Sequence, residues 1–372
     1  VRIDGGVSYG AVGNSAIDPY QTIAGLSKYD YLFGEDASNK FFAYRPSMIP
    51  NKDLGWEISR TANFGVDFGL WNNRISGYIE GYITKTSDLL MERTLPFFTG
   101  FSKVWQNIGK TENKGIELNI QANTLKTKSF SWETTVTFAR NWNKITELLG
   151  GGDIRNNSWF IGKPLQVHYN YEMIGVWQLG EEKEAQKYGA IPGDIKVKDQ
   201  NNDGSIGELD KVILGQKDPK IIASLLNSFR FGAFDASINL NMNFGSLIHP
   251  NTYASLITRD GLRWMPSNFK YWTPDNPTNE YTRADKLSGY DPFAGTGGYM
   301  KGDYIKIQDI TLGYDFSKIM PKNWKILRAR LYAQVRNLGY IYKACKNDVS
   351  PEAPDFDYNI PTTYTMGINI DF

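Results

Sequence analysis

The sequence predicts an all-β protein, an antiparallel transmembrane β-barrel, and three observations carry that prediction. Apolar and polar residues alternate with a period of two in most segments of the 372-residue chain. The connections between these segments are short on one side of the predicted sheet and long on the other. No segment approaches the ~20 consecutive apolar residues of a membrane helix, so the chain could cross a membrane only as a closed barrel.

The segment that begins at Thr363 illustrates the alternation and also its ambiguity. Its apolar residues are Tyr364, Met366, Ile368, Ile370 and Phe372, and the residues between them are polar or small. One face of the strand is therefore apolar and the other is polar. A soluble sheet that covers a core shows the same pattern as a barrel strand between lipid and a polar lumen, so this strand alone leaves both open.

The other strands are predicted from the same alternation, in chain order. They lie at residues 1–11, 61–70, 75–90, 116–123 and 130–138, at two places between 150 and 179, and at 221–231, 234–245, 303–316 and 328–341. With the terminal strand, the sequence predicts about twelve antiparallel strands. Asn72 and Asn73 mark a tight turn after the second strand, because Asn tolerates positive φ.

The connections between these strands favour a barrel. Short links are predicted at 72–74, 126–129, 162–164, 232–233 and 317–327, and long ones near 91–111, 180–220, 246–302 and 342–362. Short turns at one end and long loops at the other are typical of an outer-membrane barrel with extracellular loops. A soluble all-β sandwich is the alternative, and it requires no such asymmetry of loop length.

Composition and chain ends restrict the function further. The 41 basic and 40 acidic residues give no long-range field that would attract nucleic acid. Cys345 is the single cysteine, so the fold does not rely on an intrachain disulfide. The chain starts at Val1 without an initiator Met, a signal peptide or a lipidation box, which suggests a processed or partial chain.

The segment 199–210 (DQNNDGSIGELD) matches the spacing of a calcium-binding loop. Its candidate ligands are Asp199, Asn201, Asp203, Ser205 through its carbonyl, and Asp210, and Gly204 permits the sharp bend. The match has departures, because the last ligand is Asp instead of Glu and no helix pattern flanks the loop. The sequence predicts a structural Ca²⁺ here, and a polar turn without metal is the alternative.

Nothing in the sequence points to an enzyme. His168 and His249 are isolated in sequence, and no Gly-x-Ser-x-Gly elbow occurs. Gly109-Lys110-Thr111 lacks the earlier glycine and the following helix of a phosphate-binding loop. Carboxylates such as Glu80 and Glu117 lie on the polar strand faces, where a solvated wall explains them.

An aromatic segment at 264–281 (WMPSNFKYWTPDNPTNEY) reads as an exposed loop. Its candidate contacts for a substrate or a protein partner are Trp264, Tyr271, Trp272 and Tyr281, because exposed aromatic rings stack on sugars and dock proteins. The alternative is a loop that packs on its own aromatic side chains.

Several motifs resemble those of one family in the same order along nearly the whole chain. They are Asn51–Glu57 (NKDLGWE), Gln106–Gly109 (QNIG), Asn113–Glu117 (NKGIE), Pro192–Ile195 (PGDI), Tyr271–Pro277 (YWTPDNP), Asp303–Ile307 (DYIKI), Ile310–Tyr314 (ITLGY) and Val335–Leu338 (VRNL). The chain resembles the C-terminal barrel portion of the SusC/RagA family of TonB-dependent outer-membrane importers of Bacteroidetes-type bacteria.

This resemblance implies a larger barrel of 22 strands with an N-terminal plug domain. The residues of this chain would form only part of that barrel, and the plug would lie outside them. It also implies uptake of glycans or peptides, energised through TonB, with a SusD-like surface lipoprotein as partner. The missing strands and plug would come from the same transporter, and the barrel would contact outer-membrane lipid. A passive porin or secretion barrel and a soluble surface glycan-binding β protein are the competing functions.

Overall fold

The computed structural model describes residues 1–15, 22–33, 39–257, 269–283, 293, 295–321, 326–346, 348–355 and 360–371. Phe372 and Trp264 lie outside this part of the chain. The first ten strands are β1 (Arg2–Asn14), β2 (Gly25–Phe33), β3 (Asn39–Met48), β4 (Glu57–Leu70), β5 (Ile75–Ser87), β6 (Leu90–Thr94), β7 (Lys103–Asn107), β8 (Gly109–Lys126), β9 (Phe130–Leu148) and β10 (Val167–Tyr171). They are followed by β11 (Met173–Val176), β12 (Ile195–Val197), β13 (Lys211–Gln216), β14 (Ile221–Phe231), β15 (Phe234–Phe244), β16 (Leu247–Ile248), β17 (Met300–Lys301), β18 (Tyr304–Asp315), β19 (Arg328–Lys343) and β20 (Thr363–Asp371).

Helices are few and short in the described residues. The α-helices are α1 (Glu182–Lys187) and α2 (Asn251–Ile257), and single 3₁₀ turns occur at Phe97–Thr99, Arg155–Asn157, Glu208–Asp210 and Ser317–Ile319. Within the described ranges, no helix combines the length and the apolar character that crossing a membrane requires.

Ten strands form one antiparallel sheet in the order β1-β4-β5-β8-β9-β14-β15-β18-β19-β20. Each neighbour in this sheet is also the next sheet strand along the chain, so the sheet grows by successive hairpins. β1 and β20 are its two edges. The sequence prediction of about twelve strands is therefore corrected to ten in this sheet.

The error arises between β9 and β14. The sequence predicts two strands there, separated by a short turn at 162–164. The segment before that turn forms no strand and contains the 3₁₀ turn Arg155–Asn157. The segment after it contains both β10 and β11, which pair with β13 and β12 in separate two-stranded sheets. Strands of five and four residues are too short for the ~9–11 residues of a membrane strand. Residues 149–220 thus form one long connection.

The asymmetry of the connections is otherwise confirmed. Short connections join β4 to β5, β8 to β9, β14 to β15 and β18 to β19, and long ones join the remaining pairs. The predicted tight turn is present, with φ of 55° at Asn72 and 60° at Asn73. In the described part of the chain, ten further strands lie in the long connections, where they pair two by two in small sheets.

One face of the sheet is apolar and exposed. Phe64, Ile79 and Ile116 are 52%, 47% and 47% exposed in the middle of the sheet. In β20, Tyr364 and Met366 are 75% and 78% exposed. The deeply buried apolar side chains lie mainly in and beside the long connections, for example Ile108, Val176 and Val349. A soluble sandwich would bury such a sheet face, whereas a membrane strand exposes it to lipid.

Candidate functional site

The opposite face of the sheet is a wall of hydroxyl, amide and carboxylate groups. The Thr137 and Ser224 hydroxyls lie 2.6 Å apart across neighbouring strands. Between β15 and β18, Asn239 Nδ2 donates to Asp309 Oδ2 at 3.2 Å. These side chains bond to one another and leave further donor and acceptor positions, so the wall suits contact with water and polar solutes.

A buried ion pair attaches one long connection to this wall. Lys306 of β18 has a side chain only 4% exposed, and its Nζ lies 2.7 Å from Glu352 Oε2. The Tyr340 hydroxyl donates to the same oxygen at 2.7 Å. Glu352 belongs to residues 348–355 of the connection between β19 and β20, so these residues fold back over the polar face instead of extending into solvent.

The same carboxylate has a second group of contacts. The Tyr304 hydroxyl donates to Glu352 Oε1 at 3.4 Å and accepts a hydrogen bond from Asn243 Nδ2 at 2.9 Å. Sequence reasoning missed this cluster. The alternation in β18 places Lys306 on the polar face, but Glu352 lies in a segment without periodicity, so no sequence pattern joins the two.

A second ion pair crosses the polar face near the short connections. Arg330 donates through Nε to Asp235 Oδ1 at 2.8 Å and through Nη2 to Asp235 Oδ2 at 2.5 Å. The pair passes over Gly313, where a Cβ would lie 2.5 Å from Arg330 Nη2 and 2.6 Å from Asp235 Oδ1. Glycine at this position therefore permits the bidentate contact.

The long connection 149–220 packs together with the described residues of the connection 245–303, which are 245–257, 269–283, 293 and 295–303. This unit is called here the loop assembly. Trp272 is 6% exposed, and its Nε1–H donates to Gln178 Oε1 at 2.9 Å. Arg283 Nε donates to Asp194 Oδ1 at 2.9 Å. These contacts join segments that are distant in sequence, so the loop assembly has an interior of its own.

The aromatic residues expected to contact a ligand lie mainly inside that assembly. Tyr281 is 8% exposed, and its ring centroid lies 5.0 Å from that of Phe269 and 6.0 Å from that of Tyr271. Tyr253 extends the cluster, 5.9 Å from Phe269. Trp272 and Tyr281 thus follow the second sequence alternative, in which the loop packs on its own aromatic side chains. Trp264 is outside the described residues.

The two histidines, treated as isolated in the sequence, lie together in the loop assembly. Their ring centroids are 6.3 Å apart, and Tyr299 lies 4.2 Å from His249 and 5.1 Å from His168. His168 Nε2–H donates to Leu247 O at 2.9 Å. Burial lowers the pKa of His168 to about 4, with smaller contributions from Lys217 and His249. The imidazole is therefore neutral at physiological pH.

The residues expected to bind calcium form one compact turn between β12 and β13. Asp199 Oδ2 accepts from Gly204 N at 2.9 Å, and Gly204 has φ of 82°. Asp203 Oδ1 accepts from Ser205 N and Oγ at 2.8 and 2.7 Å. Asp210, 1% exposed, accepts from Gln200 N at 2.8 Å and from Gly207 N at 2.7 Å.

The oxygen atoms of this turn decide whether it can hold a Ca²⁺ ion. In the parts of the chain that are described, no three His, Cys, Asp or Glu side chains converge as a metal-binding group. Asp203 Oδ1 accepts two hydrogen bonds, whereas Asp199 Oδ1, Asp203 Oδ2 and Asp210 Oδ2 each accept one from Asn202 N, Asn201 Nδ2 and Gly207 N and keep a further lone pair. The donor set of Asp199, Asn201, Asp203, Ser205 and Asp210 is thus chemically suited to calcium, while the turn is also held by its own hydrogen bonds.

Comparison with known proteins gives consistent results at the level of family and fold. Residues 24–338 match the family described as TonB dependent receptor-like, beta-barrel. The chain is 29% identical to TonB-dependent receptor P3 of Formosa agariphila over 98% of its length, and 28% identical to TonB-dependent receptor SusC of Bacteroides thetaiotaomicron over 92%. It covers 39% and 34% of those two proteins, respectively.

Solved structures show the same fold. The RagAB peptide transporter superposes on the whole chain with a TM-score of 0.79 at 22% identity, and the chain covers 41% of the matched RagAB chain. The RagAB peptide importer in its "closed-closed" state gives a TM-score of 0.74 at 21% identity. The ten-stranded sheet and its long connections therefore correspond to part of a larger barrel.

Proposed function

The chain belongs to the TonB-dependent receptor-like β-barrel family, and on that premise we propose that it forms part of the wall of a nutrient importer. It is a C-terminal portion of an outer-membrane β-barrel, and its named relatives are receptors and transporters, not enzymes. The chain spans about two fifths of the length of the curated receptors it matches, from 34% to 40%.

The proposed substrates are oligosaccharides or peptides, taken up together with a SusD-like surface lipoprotein. The continuous polar face is the observation that carries this proposal, because a polar oligomer needs hydrogen-bonding groups along its path. The name of the RagAB peptide transporter supports the peptide alternative, and the family resemblance supports the glycan alternative.

The proposed partners lie at the two ends of the sheet. The loop assembly and the other long connections form the extracellular side and would carry the SusD-like lipoprotein. Because Trp272 and Tyr281 are buried, their role there would be to shape the loop surface. TonB would act at the short-turn side through residues of the same transporter outside this chain, which also supply the plug and the remaining strands.

Uptake assays test the proposal directly. Cells that lack the intact transporter should lose growth on, and uptake of, one class of labelled oligomer, either glycan or peptide. Uptake should also stop when the proton gradient is collapsed, since the TonB route is energised. Uptake that persists without the gradient would favour the passive porin, and unchanged uptake of both classes would contradict the importer.

We also propose that the turn 199–210 holds a structural Ca²⁺. The oxygen donors and the bend at Gly204 support this assignment. Elemental analysis of the intact protein purified with and without a chelator tests it. About one calcium per chain, lost with chelator or in Asp199→Asn, is expected, and absence of stoichiometric calcium in untreated protein would refute the site.

A further inference from the structure

The apolar outer face of the sheet ends in a row of charged side chains, one on each of four neighbouring strands, and three of the four are basic. Arg60, Lys85, Glu112 and Lys144 lie directly opposite one another across β4, β5, β8 and β9. Residues opposite one another in antiparallel strands point to the same face. On β4, Arg60 lies two residues from Ala62 and points to the same face. The row is therefore on the apolar outer face.

The charges on this surface are predominantly positive. Five exposed basic residues belong to it, Arg60, Lys85, Lys114, Arg140 and Lys144. Glu112 is the acidic member, with Oε1 3.1 Å from Lys114 Nζ and 3.2 Å from Lys144 Nζ. The adjacent Lys110 and Glu147 pair with each other at 2.7 Å. Five positive charges less one negative charge leave a net of four.

The basic row borders an apolar groove. A cavity of about 680 Å³ is lined on one side by Ala62, Phe64 and Ile83 and on the other by Arg60 and Lys85. The guanidinium carbon of Arg140 lies 4.6 Å from the centroid of the Trp142 ring, which is also exposed on this face. The surface therefore changes from apolar to basic within one groove.

The position of the row matches the edge of a lipid bilayer. On β8 the apolar outward residues extend from Leu125 to Ile116, and nine steps of about 3.3 Å make roughly 30 Å of strand. A barrel strand tilted by about 40° then spans roughly 23 Å of membrane thickness, close to the ~25 Å apolar band of outer-membrane barrels. Lys114 is the next outward residue of β8, so it lies at the head-group level.

We propose that this surface binds the phosphate groups of an anionic outer-leaflet lipid, with the acyl chains of that lipid against Phe64 and Ile83. Lys and Arg form charge-assisted hydrogen bonds with phosphate oxygens. Strands about 4.8 Å apart place Arg60 and Lys144 roughly 14 Å from each other, so one bisphosphorylated head group spans the row. The inference rests on the outer-membrane location, not on the transported substrate.

Lipid titration of the intact transporter tests this proposal. The probe is bisphosphorylated lipid A in neutral detergent, compared with the same lipid after removal of its phosphates, and binding is followed by native mass spectrometry. Lys85→Gln, Lys114→Gln and Lys144→Gln combined should weaken binding of the phosphorylated probe about tenfold or more. Lys52→Gln, Lys128→Gln and Lys187→Gln combined remove the same charge elsewhere and should leave it unchanged.

Glu112→Gln gives an independent readout, because it removes the one acidic group in the row. It should strengthen binding of the phosphorylated probe severalfold, and added salt should weaken binding in every variant. Equal binding of the dephosphorylated lipid would overturn the proposal. So would displacement by millimolar inorganic phosphate, equal losses in the two triple variants, or weaker binding of Glu112→Gln.

Discussion

At the scale of single residues, Lys306 and Glu352 show how the polar wall holds a long connection. The pair is largely buried, and the Glu352 carboxylate also accepts hydrogen bonds from Tyr340 and Tyr304. Water therefore has little access to either charged group. Removing one member of such a pair leaves an uncompensated charge, which costs more than the pair contributes.

Replacement of Lys306 should therefore release residues 348–355 from the polar face. We expect Lys306→Met to lower the local stability of residues 348–355 by about 3 kcal/mol, because Glu352 is left without its cation. Hydrogen exchange of these residues measures the effect. Lys301→Met, an exposed lysine of the same region, serves as control, and equal protection in both variants would contradict the anchoring role.

His168 makes the loop assembly sensitive to acid. Its pKa of about 4 lies below the usual value of 6.5, so the unfolded segment binds a proton before the folded one does. Stability is complete above pH 6.5 and falls as pH decreases through the window from 6.5 to 4, by about 1 kcal/mol at pH 5 after allowance for partial exposure.

Hydrogen exchange of β10 as a function of pH tests this expectation. The free energy of local opening, corrected for intrinsic exchange rates, should decrease between pH 7 and pH 5 in the natural chain. In His168→Gln, whose side-chain amide can still donate to Leu247 O, the decrease should disappear. A pH dependence that persists in this variant would assign the effect to other groups.

At the scale of elements, the close pairing of β5 and β8 depends on a glycine. A Cβ at Gly77 would lie 2.0 Å from Asn119 O and 2.9 Å from Asn119 C, both backbone atoms that cannot move without separating the strands. Gly77→Ala should therefore destabilise the sheet by about 1–3 kcal/mol.

Folding of the intact transporter, followed by the heat-dependent gel shift and by denaturant titration, measures this loss. Gly6→Ala is the matched control, since a Cβ there meets nothing within 4 Å. An unchanged denaturation midpoint for Gly77→Ala would show that the β5–β8 spacing is wider than the structure gives.

The two faces of β20 give a second test at this scale. Met366 is 78% exposed on the apolar face, whereas Thr365 lies opposite Gln334 on the polar face. Met366→Arg should destabilise the membrane-inserted form by about 2–4 kcal/mol, because a charge would enter the lipid. Thr365→Arg should have much less effect in the same folding assay, and the reverse order would exchange the two faces.

The sequence predicts a strand reliably only where the alternation of apolar and polar residues is long enough. The hairpin of β14 and β15 is paired without a register shift over eleven residues, and the alternation in β15 predicts its two faces. β10 and β11 have apolar and aromatic residues of the same kind but only five and four positions, so alternation does not show where they pair. Their partners are set by tertiary packing of the long connections.

The candidate functional site also has parts that the sequence predicts and parts that it does not. The polar wall could be predicted, because its residues alternate with the apolar ones on long strands. The ion pair of Lys306 with Glu352 and the contact of His168 with His249 could not, because each joins a connection to a distant segment. Burial of Trp272 was also unpredictable from composition, since aromatic residues are common both on binding loops and inside them.

In the whole molecule, the two faces of the main sheet meet different surroundings. One face of the ten-stranded sheet contacts lipid and the other lines a water-filled interior. The apolar exposed face, the polar wall and the gathering of long connections at one end all agree with this arrangement. The proposed lipid site and the proposed importer both depend on it.

A spin-label scan along β15 tests the claim most directly. Single labels at Ala236 to Asn243 would be placed in the intact transporter in membranes, on a background in which Cys345 and any cysteine of the remaining transporter are replaced by Ser. Labels at 236, 238, 240 and 242 should collide with dissolved oxygen, and labels at 237, 239, 241 and 243 with a water-soluble nickel reagent. Equal access of the nickel reagent to both sets would contradict the membrane arrangement of this sheet.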